Sequence, residues 1–119
     1  MENIKQTIEK FIKGGDNSDP KALEEVLHPR YQNIQDGFFG NEGIFIISKE
    51  QYIKYVQEKT FGGKSRSIMY KSLSIKGNIA HAEVELESSA LSFSSLIICV
   101  KEHGEWLVMT NIPSIIVKE

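Results

Sequence analysis

Cysteine, histidine and excess basic charge are all scarce in this chain, and each scarcity closes off a class of function. Cys99 is the only cysteine among 119 residues, so an intramolecular disulfide is impossible. It sits in the apolar run LIICV, where a thiol behaves as a small hydrophobe and not as a reactive group. The three histidines, His28, His81 and His103, are dispersed and no CxxC accompanies them, so neither a metal nor a cofactor is expected. Lysine plus arginine (14) do not outnumber aspartate plus glutamate (16), and the net charge is -2. Without a basic patch, neither nucleic acid nor an anionic membrane is an expected partner. No apolar run is long enough to span a bilayer, and the start, MENIKQTIEKF, lacks the apolar core of a signal peptide, which predicts a cytoplasmic location.

What is present is an ordinary globular profile, 40% hydrophobic and 25% charged. A chain of this length makes one domain, residues 1–119, and can bury about two-thirds of its unfolded surface without a disulfide or metal staple. Ile4, Ile8, Phe11 and Ile12 form one helical stripe over residues 2–13, and Gly14-Gly15 is expected to end that helix. Asp19-Pro20 opens a second helix, with Asp19 as N-cap. It should end at Leu27 or His28, because the residue before Pro29 avoids the α region. Ser48 and Gln51 have capping-box spacing and open a third helix, with Ile53 and Val56 on its buried side and an end near Phe61-Gly62-Gly63. Beyond Gly63 the pattern is strand, over 66–76, 78–88, 91–102 and 105–117, with turns at KGN, SS and EHGE. Strands of about ten residues joined by tight turns imply an antiparallel meander. Helices followed by a sheet predict an α+β domain.

Alternation assigns the faces. In IAHAEVELE, Ala80, Ala82, Val84 and Leu86 point one way, while His81, Glu83, Glu85 and Glu87 point the other. Alternating strand residues diverge, so this acidic row is a solvated or dimer-rim face and not a metal site. LSFSSLIICV becomes apolar on both faces from Leu96 to Val100, as does EWLVM. Helices can cover only one face of the sheet, so the other apolar face predicts a homodimer packed sheet to sheet.

Four segments in order, LEEVLHPRY (23–31), GIFIISKEQYI (43–53), LSIKGNIAHAEVE (73–85) and GEWLVMTNI (104–112), resemble the NTF2-like (cystatin-like α+β) superfamily. Within it, the chain is similar to the SnoaL-like, "putative lumazine-binding" group of small bacterial proteins, over essentially its whole length. The resemblance implies a cone: three N-terminal helices packed on the concave face of a strongly curved antiparallel sheet, enclosing a pocket, usually in a dimer. It does not imply one activity, because the superfamily includes isomerases, dehydratases, polyketide cyclases and transport factors.

The strand YQNIQ puts Tyr31, Asn33 and Gln35 on one face and Gln32, Ile34 and Asp36 on the other. In isomerase-like and cyclase-like relatives the general base is an aspartate near this place. The counterpart here is Gln35, whose carboxamide accepts no proton at neutral pH, with Asp36 facing the opposite way unless a bulge intervenes. Phe11 lies near the position where the isomerase carries an oxyanion-holding tyrosine, and phenylalanine has no hydroxyl. A tyrosine and two amides can orient a polar heterocycle by hydrogen bonds, or can be plain strand polarity facing solvent.

Tyr52, Tyr55, Met69, Tyr70 and Trp106 supply flat or soft surface for a planar ligand, or core packing, the better reading for Trp106. Tyr31 and Tyr55 are the preferred liners. His28 either acts as a base at a pocket rim or satisfies free carbonyls at a helix C-terminus, with capping favoured. Gly37, Gly40 and Gly43 in DGFFGNEG lack the lysine and hydroxyl of a phosphate loop and read as a flexible hairpin, on which Phe38 and Phe39 could fold inward as a lid. The expected function is binding of a small, planar organic molecule. The ligand residues would be Tyr31, Asn33, Gln35, Tyr55, Met69 and Trp106. One alternative is a SnoaL-like isomerase, dehydratase or cyclase using His28, Tyr31 or Asp36 as the base. The other is a dimerisation scaffold with a filled cone.

Overall fold

The computed structural model describes residues 2–118. Three helices, α1 (Glu2–Asp16), α2 (Pro20–Val26) and α3 (Lys49–Gln57), accompany six strands: β1 (Leu27–Phe38), β2 (Asn41–Ser48), β3 (Ser67–Lys76), β4 (Ile79–Glu87), β5 (Leu91–Glu102) and β6 (Glu105–Val117). The strands form one sheet in the order β2-β1-β6-β5-β4-β3. The four C-terminal strands are the expected antiparallel meander. The pairing not expected is that of β1 with β6, which is parallel and sets Asn33 beside Asn111. Irregularities at Asp36/Phe38, Tyr70/Ser72 and Ile98/Cys99 bend the strands, since each extra residue kinks its strand and adds twist.

The inward face is the one the alternation of β4 predicts. Ala80, Ala82, Val84 and Leu86 are buried and oppose Cys99, Ile97, Ser95 and Phe93 of β5. They share one core with Ile4, Ile8, Phe11 and Ile12 of α1, Leu23 and Val26 of α2, and Tyr52 and Val56 of α3. The outward face carries Ile46 and Ile44 of β2, opposite Ile34 and Asp36 of β1, and continues through Ile112 of β6 and Leu96 of β5. Ile44, Ile46 and Ile112 are exposed.

Three helix boundaries differ from the sequence reading. α1 does not stop at Gly14-Gly15 but runs through both to Asp16. Gly14 and, beyond the helix, Gly62 serve close packing. A Cβ on Gly14 would come within 2.9 Å of Leu23, and one on Gly62 would sit 2.1 Å from the Gly15 carbonyl oxygen. α2 ends at Val26, where the chain enters β1 directly. α3 keeps its capping box, with the Ser48 hydroxyl accepting from the Gln51 N–H and the Gln51 side chain accepting from the Ser48 N–H, but it ends at Gln57. There Thr60 N–H bonds back to the Tyr55 carbonyl (2.8 Å), and Lys59 takes a left-handed conformation that breaks the helix.

Candidate functional site

The inward face of β1 carries a polar ladder. The Gln35 amide donates to Asn33 Oδ1 (2.9 Å), and Asn33 Nδ2 donates to the Tyr31 hydroxyl (3.2 Å). Tyr31 and Asn33 are each only 1% exposed, so these groups are not strand polarity meeting water. Period-two alternation puts the three on one face, and the helices bury that face. Asn111 joins them from β6. Its amide and that of Asn33 favour the ionised phenol, yet burial dominates and raises the Tyr31 pKa well above its ordinary value, with Tyr52 adding to the rise. Tyr31 is therefore a neutral phenol at any physiological pH. Asn111 Oδ1 is the one buried side-chain polar atom among the described residues without a hydrogen-bond partner.

Rings enclose the ladder. Phe11, Tyr31 and Tyr52 meet with centroids 5.4–6.0 Å apart, within the range of favourable aromatic pairs. Tyr52 in turn touches Phe61 (5.6 Å), which contacts Tyr55 (5.1 Å) and Phe38 (5.9 Å). Phe38 folds inward onto this cluster. Phe39 stays 68% exposed, its ring parallel to that of Phe61 at 6.1 Å. Aromatic side chains thus pack around the ladder. Depressions on the surface include one of about 300 Å³ over Pro29, Arg30, Ser48 and Gln51 and one of about 290 Å³ over Lys5 and Tyr70–Leu73.

One ion pair borders the ring cluster. Arg66 Nε donates to Asp16 Oδ1 (2.6 Å), the Arg66 backbone N–H donates to Oδ2 (3.1 Å), and the guanidinium lies 4.8 Å over the Phe93 ring. Both side chains are largely buried. Asp16 raises and Arg66 lowers the Tyr52 pKa, but burial is the largest effect and pushes it up to about 12.

The other sequence-predicted residues are placed as follows. Tyr55 is half-buried in the ring cluster, and Trp106 is half-buried against the core, its carbonyl accepting from Thr7 of α1 (3.4 Å). Met69 is 58% exposed and opposes Glu85, so it lies on the outer face and does not line the cone. Asp36 is also exposed on the outer face, opposite Ile44; the irregularity that could have turned it inward falls after it, at Gly37. His28 does not cap α2. Lys49 does so, its Nζ donating to the carbonyls of Glu24 (2.9 Å) and Leu27 (3.0 Å). His28 Nδ1 accepts from the Arg30 N–H (3.0 Å), which leaves Nε2–H to donate to Glu102 (2.6 Å). That bond ties the start of β1 to the β5–β6 turn. His81, Glu83 and Glu87 are exposed, and the described residues contain no cluster of potential metal ligands. No helix among them is long and apolar enough to cross a membrane.

Asn111, Asp16, Arg66 and Phe61 were not singled out by sequence. For Asn111 a signal existed and misled. Counting by twos from buried Val108 makes Thr110 inward, but Met109 is an extra residue between the pairs Cys99–Val108 and Ile98–Thr110. That bulge turns Asn111 inward in place of Thr110.

The geometry has counterparts among known proteins. The family model described as "Putative lumazine-binding" matches residues 1–112. An NTF2-like protein of unknown function from Shewanella baltica OS155 superposes with a TM-score of 0.83 at 14% identity, covering 97% of this chain and 92% of that one. One from Silicibacter pomeroyi DSS-3 gives 0.81 at 15%, covering 98% and 94%. A protein with a cystatin-like fold from Caulobacter vibrioides gives 0.74 at 15%, covering 97% and 88%. At these identities the superpositions show the fold alone. No protein of curated function matches the chain.

Proposed function

We propose that the chain, which belongs to the NTF2-like family described as "Putative lumazine-binding", is a non-catalytic binding module for a small, planar organic molecule, held between the helices and the concave side of the sheet. The observation that carries this reading is the Tyr31–Asn33–Gln35 ladder with Asn111: four polar side chains kept inside an otherwise apolar cone. Buried amides and hydroxyls cost free energy to desolvate and stabilise a fold less than apolar packing would. Their arrangement on one face suits the recognition of a polar ring edge. The Tyr52, Phe61, Tyr55 and Phe38 rings cover the ladder and must part to admit a ligand, which then stacks against them. The isomerase, dehydratase or cyclase reading draws no support from its candidate bases: Asp36 lies outside the cone, His28 is engaged with Glu102, and Tyr31 is held neutral.

The working unit is a homodimer. Ile34, Ile44, Ile46, Leu96 and Ile112 run as one apolar row across four strands of the outer face, with the acidic residues set apart on β4. Such a row suits a second copy of itself, because a two-fold axis brings it onto its own equivalent.

The test is native mass spectrometry of the purified protein, followed by denaturing release of whatever is bound. A dimer carrying one small aromatic molecule per subunit, or saturable binding of added lumazine to a clean dimer, supports the proposal. A protein that arrives empty and binds no planar heterocycle saturably is a scaffold with a filled cone. A monomer removes the sheet-to-sheet dimer.

A further inference from the structure

Two hydrogen-bonding valences in the cone are unused, and both belong to the polar ladder. Asn111 Oδ1 is an acceptor with no donor, on a side chain 7% exposed. The Tyr31 hydroxyl oxygen accepts from Asn33, while its own hydrogen has no acceptor among the described residues. Because burial holds Tyr31 as the neutral phenol, that hydrogen is available to donate. Asn111 stands opposite Asn33 in the β1–β6 pairing, and Asn33 bonds the Tyr31 hydroxyl, so a free acceptor and a free donor belong to neighbouring members of one ladder. A cis-amide edge, N–H beside C=O as in a lactam or cyclic imide, is the complement of that pair.

We infer that Asn111 and Tyr31 together read the lactam or imide edge of an uncharged planar heterocycle, the ligand N–H donating to Asn111 Oδ1 and the adjacent C=O accepting from the Tyr31 O–H. This rests on the binding-module reading above and names the chemistry of its ligand. Neutrality follows from the surroundings: the charges nearest the ring cluster, Asp16 and Arg66, are bonded to each other at 2.6 Å, and the ladder itself is uncharged. A charged ligand would be desolvated here without a counter-ion. A neutral ring supplies the missing donor to an acceptor that is costly to leave unmade, and it spreads against Tyr52 and Phe11.

Lumazine, a pteridine with an imide edge, and its analogue methylated on both ring-amide nitrogens are the probes. Each is titrated into the wild type, Asn111→Leu and Tyr31→Phe, with affinity read by calorimetry and folding of each variant checked by circular dichroism. The expected result is methylation weakening binding to the wild type at least 10-fold, and this penalty falling below about 3-fold in Asn111→Leu, since the hydrogen bond it destroys is already gone. Tyr31→Phe, which keeps the ring, weakens both probes alike by removing the donor to C=O. If Asn111→Leu does not fold, the Tyr31→Phe comparison with the wild-type methylation penalty still decides. Equal binding of the two probes by the wild type, or an undiminished methylation penalty in Asn111→Leu, overturns the assignment while leaving the binding module standing. Binding of neither probe overturns the assignment together with the reading on which it rests.

Discussion

Replacing Arg66 with methionine tests whether the cone's border is held by charge. Asp16 is the last residue of α1, where a carboxylate faces the negative end of the helix dipole and has no local reason to be. Arg66 gives it a short charge-assisted bond at 2.6 Å, and the Arg66 guanidinium also donates to the Ile12 carbonyl (3.4 Å) and lies over Phe93. With methionine at 66, the backbone N–H of that residue still reaches Oδ2 at 3.1 Å, but the charge on Asp16 has no partner. Breaking a buried pair from one side costs about 3–5 kcal/mol. The surviving backbone bond and the methionine's own packing put the expected loss at the low end, about 3 kcal/mol. With an unfolding entropy near 2.1 cal/mol/K per residue, a chain of this length loses about 12 °C of Tm. Asp16→Leu combined with Arg66→Met should recover to within about 1 kcal/mol of the wild type, since removing both charges also removes their desolvation cost. Urea denaturation of the two single variants and the double variant closes the cycle. A loss below about 1 kcal/mol for Arg66→Met, or additive losses in the double variant, would mean that water screens the pair and that the reasoning is wrong.

Other perturbations have equally definite outcomes. Gly62→Ala places a Cβ against the Gly15 carbonyl oxygen in a left-handed conformation and should cost more than about 2 kcal/mol in urea denaturation, whereas Gly77→Ala, with open space around it, should cost about 1 kcal/mol. Ser48→Ala removes the hydroxyl half of the α3 capping box and should cost about 1 kcal/mol; no change would mean that Gln51 alone suffices. Stability should fall in alkali. Cys99 is raised by burial from 9.0 to about 12, and Tyr52 from 10.0 to about 12. Both are protonated in the folded and unfolded states at neutral pH, and above about pH 9 the unfolded chain ionises first. The contribution is therefore whole below pH 9 and is lost as the pH climbs towards 12, at about 1.4 kcal/mol per unit for each group. Cys99→Val should move the onset of that loss from about pH 9 to about pH 10, as followed by circular dichroism, and an unmoved onset would count against it. Ile46→Glu, on the outer face, should shift the protein from dimer to monomer in light scattering without changing its far-ultraviolet spectrum.

Much of the architecture was legible because its causes are local. Ser48 and Gln51 announce a helix start by spacing alone, and Ala80 to Leu86 announce a buried strand face by strict alternation. The ladder of Tyr31, Asn33 and Gln35 was readable for the same reason. What escaped depends on partners far along the chain. Gly14 and Gly15 look like a helix stop until Leu23 is seen packed against Gly14 and Gly62 against the Gly15 carbonyl. His28 looks like the cap of α2 until Lys49 arrives from the next helix and takes the carbonyls. Asn111 is hidden by a single extra residue, Met109, that reverses the parity of its strand, and Asp16 meets Arg66 only across α2, β1, β2 and α3. Met69 suits the cone by residue type, but the register puts it outside opposite Glu85, while Asp36 faces outward as alternation predicts, because the bulge comes only after it.

The parallel pairing of β1 with β6 has a consequence for how the protein comes into being. The two asparagines that face each other across it belong to β1 and β6, with four strands made between them. A chain still emerging from the ribosome has β1 and β2 as a hairpin with one side unpaired and three of the four ladder side chains exposed, until β6 is laid beside it. Long-range closures of this kind make folding slow, and they leave the nascent hairpin, with its isoleucines and phenylalanines, open to other chains in the meantime. A deletion of β6 would therefore take away the ladder's second wall and split the sheet into β2-β1 and β5-β4-β3, leaving two raw edges where one continuous sheet had been.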